Sequence, residues 1–202
     1  MNRREFLNAT LAGAAVLATG ASKERNGEPL RLHPQNPHYF LWRGKPTLLI
    51  TAGEHYGAVL NLDFNYTRYF AELKAHDFNL TRVFSGSYRE RPGWFNIRGN
   101  TLGPVEDRFI CPWARTGDKF DLTKWDAAYF DRLKDFIGKA SDTGVVVELV
   151  LFCTMYGDEF WEASPMNARN NVNGIGKVGR NQVYSSASGE LSTRNGGWFA
   201  NS

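Results

Sequence analysis

The chain has 202 residues, with 24 Lys and Arg against 21 Asp and Glu and a formal net charge of +3. That balance gives no argument for nucleic-acid binding by bulk electrostatics, and no apolar run approaches the ~20 residues that cross a bilayer as a helix. Hydrophobic and aromatic shares of 42% and 14% suit a globular domain with a sizeable core.

In chain order, Met1-Asn2-Arg3-Arg4-Glu5-Phe6-Leu7 resembles the twin-arginine export signal, Arg-Arg-x-Phe-Leu. An Ala-rich run from Ala9 to Ala18 follows, then small residues at Thr19, Gly20, Ala21 and Ser22 that suit signal peptidase. Residues 1–21 are therefore expected to be a signal peptide. The destination is then periplasmic or extracellular by twin-arginine export, with no membrane association after cleavage. Residues 22–30 are polar and charged and read as a linker, and residues 31–202 read as the folded part.

Tyr39-Phe40-Leu41-Trp42, Arg43-Gly44-Lys45-Pro46 and Thr47-Leu48-Leu49-Ile50-Thr51 predict strand, turn, strand. The second is a continuous apolar run, as expected where both faces are buried. It leads into the polar loop Ala52-Gly53-Glu54-His55-Tyr56-Gly57. Tyr66, Tyr69, Phe70 and Leu73 fall at helical spacing, with Asp63 as the expected N-cap. A short strand follows, Asn79-Leu80-Thr81-Arg82-Val83-Phe84. Alternation puts Leu80, Arg82 and Phe84 on one face and Thr81 and Val83 on the other, with Arg82 expected inward. Residues 85–119 exceed an ordinary connection and read as a functional or lid-like insertion. Asp121-Leu122-Thr123 is expected to open a second helix with a stripe of Tyr129, Leu133, Phe136, Ile137 and Ala140, ending at Thr143-Gly144. Residues 145–152 predict a third strand. This is the βαβαβ pattern of a parallel sheet. A closed (β/α)8 TIM barrel takes about 250 residues. The expected fold is therefore α/β, a TIM barrel truncated after about three βα units rather than a small open α/β domain.

Glu54, His55 and Tyr56 sit where a first strand gives way to its loop, the end that carries the site in parallel α/β folds. Polar and aromatic groups together suit a sugar, whose hydroxyls take directional hydrogen bonds and whose apolar face stacks on a ring. The alternative is a loop held by its own hydrogen bonds. A buried Arg82 needs a carboxylate, either Glu148 as a structural partner or a catalytic carboxylate kept ionised and oriented. Tyr156, Asp158, Glu159, Phe160 and Trp161 follow the third strand, and Trp161 is a stacking platform or core of the loop. Asn170 and Asn171 bind hydroxyls or cap turns. Gly174-Ile175-Gly176-Lys177-Val178-Gly179 matches G-x-G-x-x-G, but an Asn-rich loop precedes it and no amphipathic helix follows, so a flexible Gly loop is expected. His33, His38, His55 and His76 are scattered, no G-x-S-x-G elbow is present, and Cys111 and Cys153 have no metal-ligand spacing. A disulfide between them and two free thiols both remain open. No cofactor and no metal are expected.

With these residues in hand, the chain resembles the retaining (β/α)8-barrel glycoside hydrolases of the cellulase-like clan. The carriers are the opening hairpin, residues 39–46, and the strand-two Asn79-Leu80-Thr81-Arg82. Residues 52–62 and 167–174 look more closely like a group of uncharacterised bacterial cellulase-like proteins. The resemblance covers roughly residues 32–183 and implies a carbohydrate substrate, with Arg82 beside the nucleophile. It also implies an acid/base glutamate in an Asn-Glu-Pro setting after strand four and a nucleophilic glutamate on strand seven. No Asn-Glu pair occurs in this sequence, so no catalytic residue is assigned and this chain by itself is expected to be inactive. The readings from other classes are an exported nicotinamide or flavin oxidoreductase and a noncatalytic carbohydrate-binding protein.

Overall fold

The computed structural model describes residues 29–51, 55–86, 88–93, 102–151, 153, 155 and 158–177. The expected signal peptide, most of the linker, Glu54, Tyr156 and the tail after Lys177 lie outside the described residues. The chain divides into two compact units, Met1–Leu49 and Ile50–Ser202.

In the first unit, β1 (Arg31–Leu32), β2 (Phe40–Trp42) and β3 (Lys45–Thr47) form an antiparallel sheet in that order. Trp42 pairs with Lys45, and Arg43 and Gly44 between them have φ of +50° and +75°. That left-handed pair is what a two-residue hairpin turn requires. The predicted strand over 47–51 is not formed: ladder pairing stops at Thr47 and residues 48–51 are irregular.

In the second unit, the Ile50 amide donates to Asn79 Oδ1 at 2.7 Å, and its carbonyl accepts from the amides of Asn79 and Leu80. Ile50 is 49% exposed, so the expected burial on both faces is not found. The first helix, α1 (Tyr66–Ala75), is capped by Asn65, whose side chain accepts from the Arg68 amide. Asp63, the expected cap, instead pairs with Arg108 at 2.7 Å. The strand β4 (Leu80–Phe84) follows.

The long insertion is more regular than expected. A 3-10 turn over Glu106–Arg108 leads to an antiparallel hairpin of β5 (Trp113–Thr116) and β6 (Lys119–Trp125). Asp121 therefore lies in a strand and does not open the helix. Its Oδ1 is taken by the Thr123 amide and hydroxyl. The helix α2 (Ala127–Thr143) starts at Asp126, which accepts from the Ala128 amide at 2.9 Å. It ends, as predicted, at Gly144, with φ of +82°. The strand β7 (Val146–Val150) and the short α3 (Asp158–Ala163) complete the described order.

β4 and β7 pair in parallel, Leu80 opposite Val146 through Phe84 opposite Val150. The Phe84 amide donates to Tyr56 O, and the next amide, Ser85, donates to Val150 O. Successive amides of a strand point to opposite edges, so Tyr56 and β7 flank β4. α1 and α2 cover one face. Val83, Val147 and Leu149 pack there with Phe70, Leu73, Tyr129, Phe136 and Ala140, and the Phe70 and Phe136 rings lie 4.9 Å apart. Arg132 of α2 reaches the turn before α1, donating to the carbonyls of Ala58, Val59, Asn61 and Phe64. The fold is mixed α/β. No closed barrel is formed among the described residues.

Candidate functional site

The second apolar cluster lies at the carboxyl ends of β4 and β7. Phe84, Tyr88, Met155, Phe160 and Trp161 are buried in it, with Tyr56, Val150, Cys153 and Met166 around them. Tyr56 stacks on Phe84 at 4.4 Å and 10°, and Tyr88 meets Phe84 edge-on at 5.5 Å. Two sequence-predicted residues, Tyr56 and Trp161, thus come together. Trp161 is only 4% exposed, so it forms the core of its loop rather than an open platform. Its Nε1 is buried without a hydrogen-bond partner among the described residues.

His55 goes elsewhere. It stacks on Phe64 at 3.5 Å and meets the Tyr69 edge at 6.0 Å. Burial lowers its pKa to about 4, against a backbone hydrogen bond that raises it.

Arg82 is not the buried cation expected. Its Nε lies 3.0 Å from Glu148 Oε2, with the two side chains 39% and 46% exposed. They face each other across the parallel ladder, on the face that the helices do not cover. Glu148, one of the two partners that the sequence left open, is the carboxylate beside Arg82 in this chain.

Asn170 and Asn171 spend their amides on their own loop. Asn170 donates to the carbonyls of Glu162 and Ser164. Asn171 donates to Pro165, Asn167 and Ile175 and accepts from the Ile175 amide. Gly176 of the Gly motif serves the same loop. A Cβ on Gly176 would fall 1.9 Å from the Met166 carbonyl oxygen and 3.2 Å from the Trp161 ring.

Two features were not read from the sequence. Glu90 is 2% exposed. Tyr88 donates its hydroxyl to one Glu90 oxygen at 2.7 Å, and the other has no partner among the described residues. Burial raises the Glu90 pKa against that hydrogen bond, which lowers it. The second feature is a cleft of about 210 Å³ between the β4-following loop and the segment after β7, lined by Arg89, Glu106, Arg115, Lys119, Glu162 and Arg169 among others. Glu106 accepts from Arg89 at 2.8 Å and from Arg115. Burial pushes the Glu106 pKa up, but the two guanidiniums outweigh it and hold the carboxyl below its usual value. Glu90 and one wall of the cleft fall in the insertion, where neither helical nor strand period gave a signal and only a richness in Arg, Gly, Pro and aromatics marked the segment; the other wall, Glu162 and Arg169, lies after β7.

No family model matches the sequence, and no curated protein matches it. A glycoside hydrolase family 5 protein from Bacteroides vulgatus ATCC 8482, known from its crystal structure, is similar over 72% of this chain, at 18% identity and a TM-score of 0.37. This chain spans 28% of that one.

Proposed function

We propose that the chain is the N-terminal part of an exported, retaining glycoside hydrolase of (β/α)8 type that cleaves O-glycosidic bonds of a polysaccharide or oligosaccharide. The observation that carries this reading is Arg82 on β4, paired in parallel with β7 across a helical crossover, on the sheet face away from α1 and α2. In a barrel that face is the interior, and the Asn79-Leu80-Thr81-Arg82 pattern has its functional meaning there. Export rests on the residues from Met1 to Ala21 alone.

The chemistry needs two carboxylates about 5–5.5 Å apart, one a nucleophile and one an acid/base. Neither is assigned to a residue of this chain. Arg82 is a positioning residue in this reading: its guanidinium keeps a neighbouring carboxylate ionised and oriented. The oxidoreductase reading loses its main support. Gly176 answers to the Met166 carbonyl beside it, and the residues before Gly174 are turns rather than a strand.

The test uses a polypeptide that carries this segment in a complete barrel, assayed for reducing-end release from a panel of glycans, with the anomer read by proton NMR. Net retention is expected. Arg82→Ala is expected to lower kcat about 100-fold or more, while the exposed pair with Glu148 contributes at most about 1 kcal/mol to stability. Inversion of the anomer, or a turnover loss no larger than the stability loss, would overturn the assignment.

A further inference from the structure

We propose that the cleft between the β4-following loop and the segment after β7 binds an anionic substituent of a saccharide, a carboxylate or a sulfate ester. The inference rests on the carbohydrate reading above and specifies its substrate class. The cleft is small, about 210 Å³, below the roughly 300–1,000 Å³ of sites for drug-sized ligands. One sugar ring or its charged substituent suits that size. Its lining is charged: Arg89, Arg115, Lys119 and Arg169 against Glu106, Asp118 and Glu162.

The three carboxylates do not cancel the cations one for one. Glu106 is shared by Arg89 and Arg115, and with Lys119 and Arg169 against Asp118 and Glu162 the lining as a whole keeps one positive charge. Neither Lys119 nor Arg169 pairs with a carboxylate among the described residues. Both residues line the cleft. The two clamped guanidiniums are also held in place. Arg89 lies over the Phe109 ring at 4.4 Å and Arg115 over the Phe120 ring at 4.2 Å. Arg89 has a side chain only 16% exposed. A fixed, partly desolvated guanidinium loses little entropy on meeting an oxyanion and is screened less than one in open solvent. Glu106 therefore presents the two arginines rather than quenching them.

The cleft also lies where a saccharide would run. Arg89 belongs to the loop after β4, and Glu162 and Arg169 to the segment after β7, so both walls follow the carboxyl ends of the parallel strands. Those ends carry the sites of parallel α/β folds.

The test is calorimetric titration of the 202-residue chain at low salt with trigalacturonate, a sulfated galactan trisaccharide, cellotriose and sodium sulfate. One or both acidic trisaccharides should bind, and the tighter one identifies the substituent. Lys119→Ala and Arg169→Ala should each weaken that binding about tenfold, and Lys119→Glu more. Lys134→Ala on the exposed side of α2 should leave it unchanged, with all four variants checked for folding by far-UV circular dichroism. Cellotriose binding as tightly as the acidic sugars, sodium sulfate binding as tightly as either, or unaltered affinity in the Lys119 and Arg169 variants would overturn the proposal. Cleavage of neutral glycans with Lys119 and Arg169 dispensable would sink the anionic specificity and leave the glycosidase reading standing. Acidic-sugar binding without cleavage by a complete barrel would do the reverse.

Discussion

His55 stacks on Phe64, and burial lowers its pKa to about 4 from 6.5. Between those two values the unfolded chain binds the proton and the folded chain does not. Stability is then fully present above pH 6.5 and falls as pH drops toward 4, by on the order of 3 kcal/mol at most. Glu90 acts with the opposite sign. Its pKa is raised above 4.5 by burial, so its contribution is present below 4.5 and lost as pH rises through the folded value. Titration of the His55 imidazole by NMR checks the larger effect. The ring should stay neutral to about pH 4; a midpoint near 6.5 would mean that the ring is hydrated and the stacking absent. The same packing separates residues that the sequence places together. Glu54-His55-Tyr56 reads as one polar loop, yet Tyr56 joins Phe84 while His55 joins Phe64.

The helices begin where short side chains meet free amides, and that is where the sequence reading slipped by a few residues. Asn65→Ala and Asp126→Ala should each cost about 1 kcal/mol, the usual loss for an N-cap oxygen, measured by urea denaturation. Asp63→Ala should cost less, because it removes only an exposed contact with Arg108. The misplacement of the second helix has the same origin. Asp121-Leu122-Thr123 carries a cap-like Asp, but Asp121 turns its oxygen to Thr123 within β6. The loop after β7 is held by backbone approach. Gly176 has φ of +84°, and its Cβ would lie 1.9 Å from Met166 O. Gly176→Ala should therefore cost about 2 kcal/mol or more and shift Trp161 fluorescence to the red as water enters the cluster. Gly174 has open space around it, with only Lys177 at 3.9 Å, and Gly174→Ala should cost about 1 kcal/mol, for its φ alone.

Across the larger unit, α1, α2 and the β4–β7 pair share one core centred on Phe136, which is fully buried. Phe136→Ala should cost about 3–5 kcal/mol, a large share of the roughly 5–15 kcal/mol that holds a domain folded. A denaturation midpoint close to the parent's would show that this core does not hold the unit together. Much of the core was readable in advance because burial follows period, although Ile137, expected in the same stripe, is 43% exposed. Phe70 and Leu73 mark one helix face, Phe136 and Ala140 another, and Thr81 and Val83 the strand face between them. The parallel order was readable too, since strands separated by helices of this length return in the same direction. The sequence by itself therefore determined the α/β class, the hairpin turn at Arg43-Gly44 and the end of α2 at Gly144, and offered Glu148 as one of two alternatives for the partner of Arg82. Tertiary structure decided what those side chains do. Arg82 is half exposed because only one sheet face is covered. Asn170 and Asn171 are drawn into their own loop because buried polar backbone must be satisfied, and Trp161 is drawn into the apolar cluster with Phe84, Tyr88 and Phe160. The described part of residues 85–119, read as a functional or lid-like insertion, holds a 3-10 turn, the first strand of the β5–β6 hairpin and one wall of a charged cleft. Arg89, Glu106 and Arg115 meet there through contacts 9 and 17 residues apart in the chain, a separation that no local period encodes.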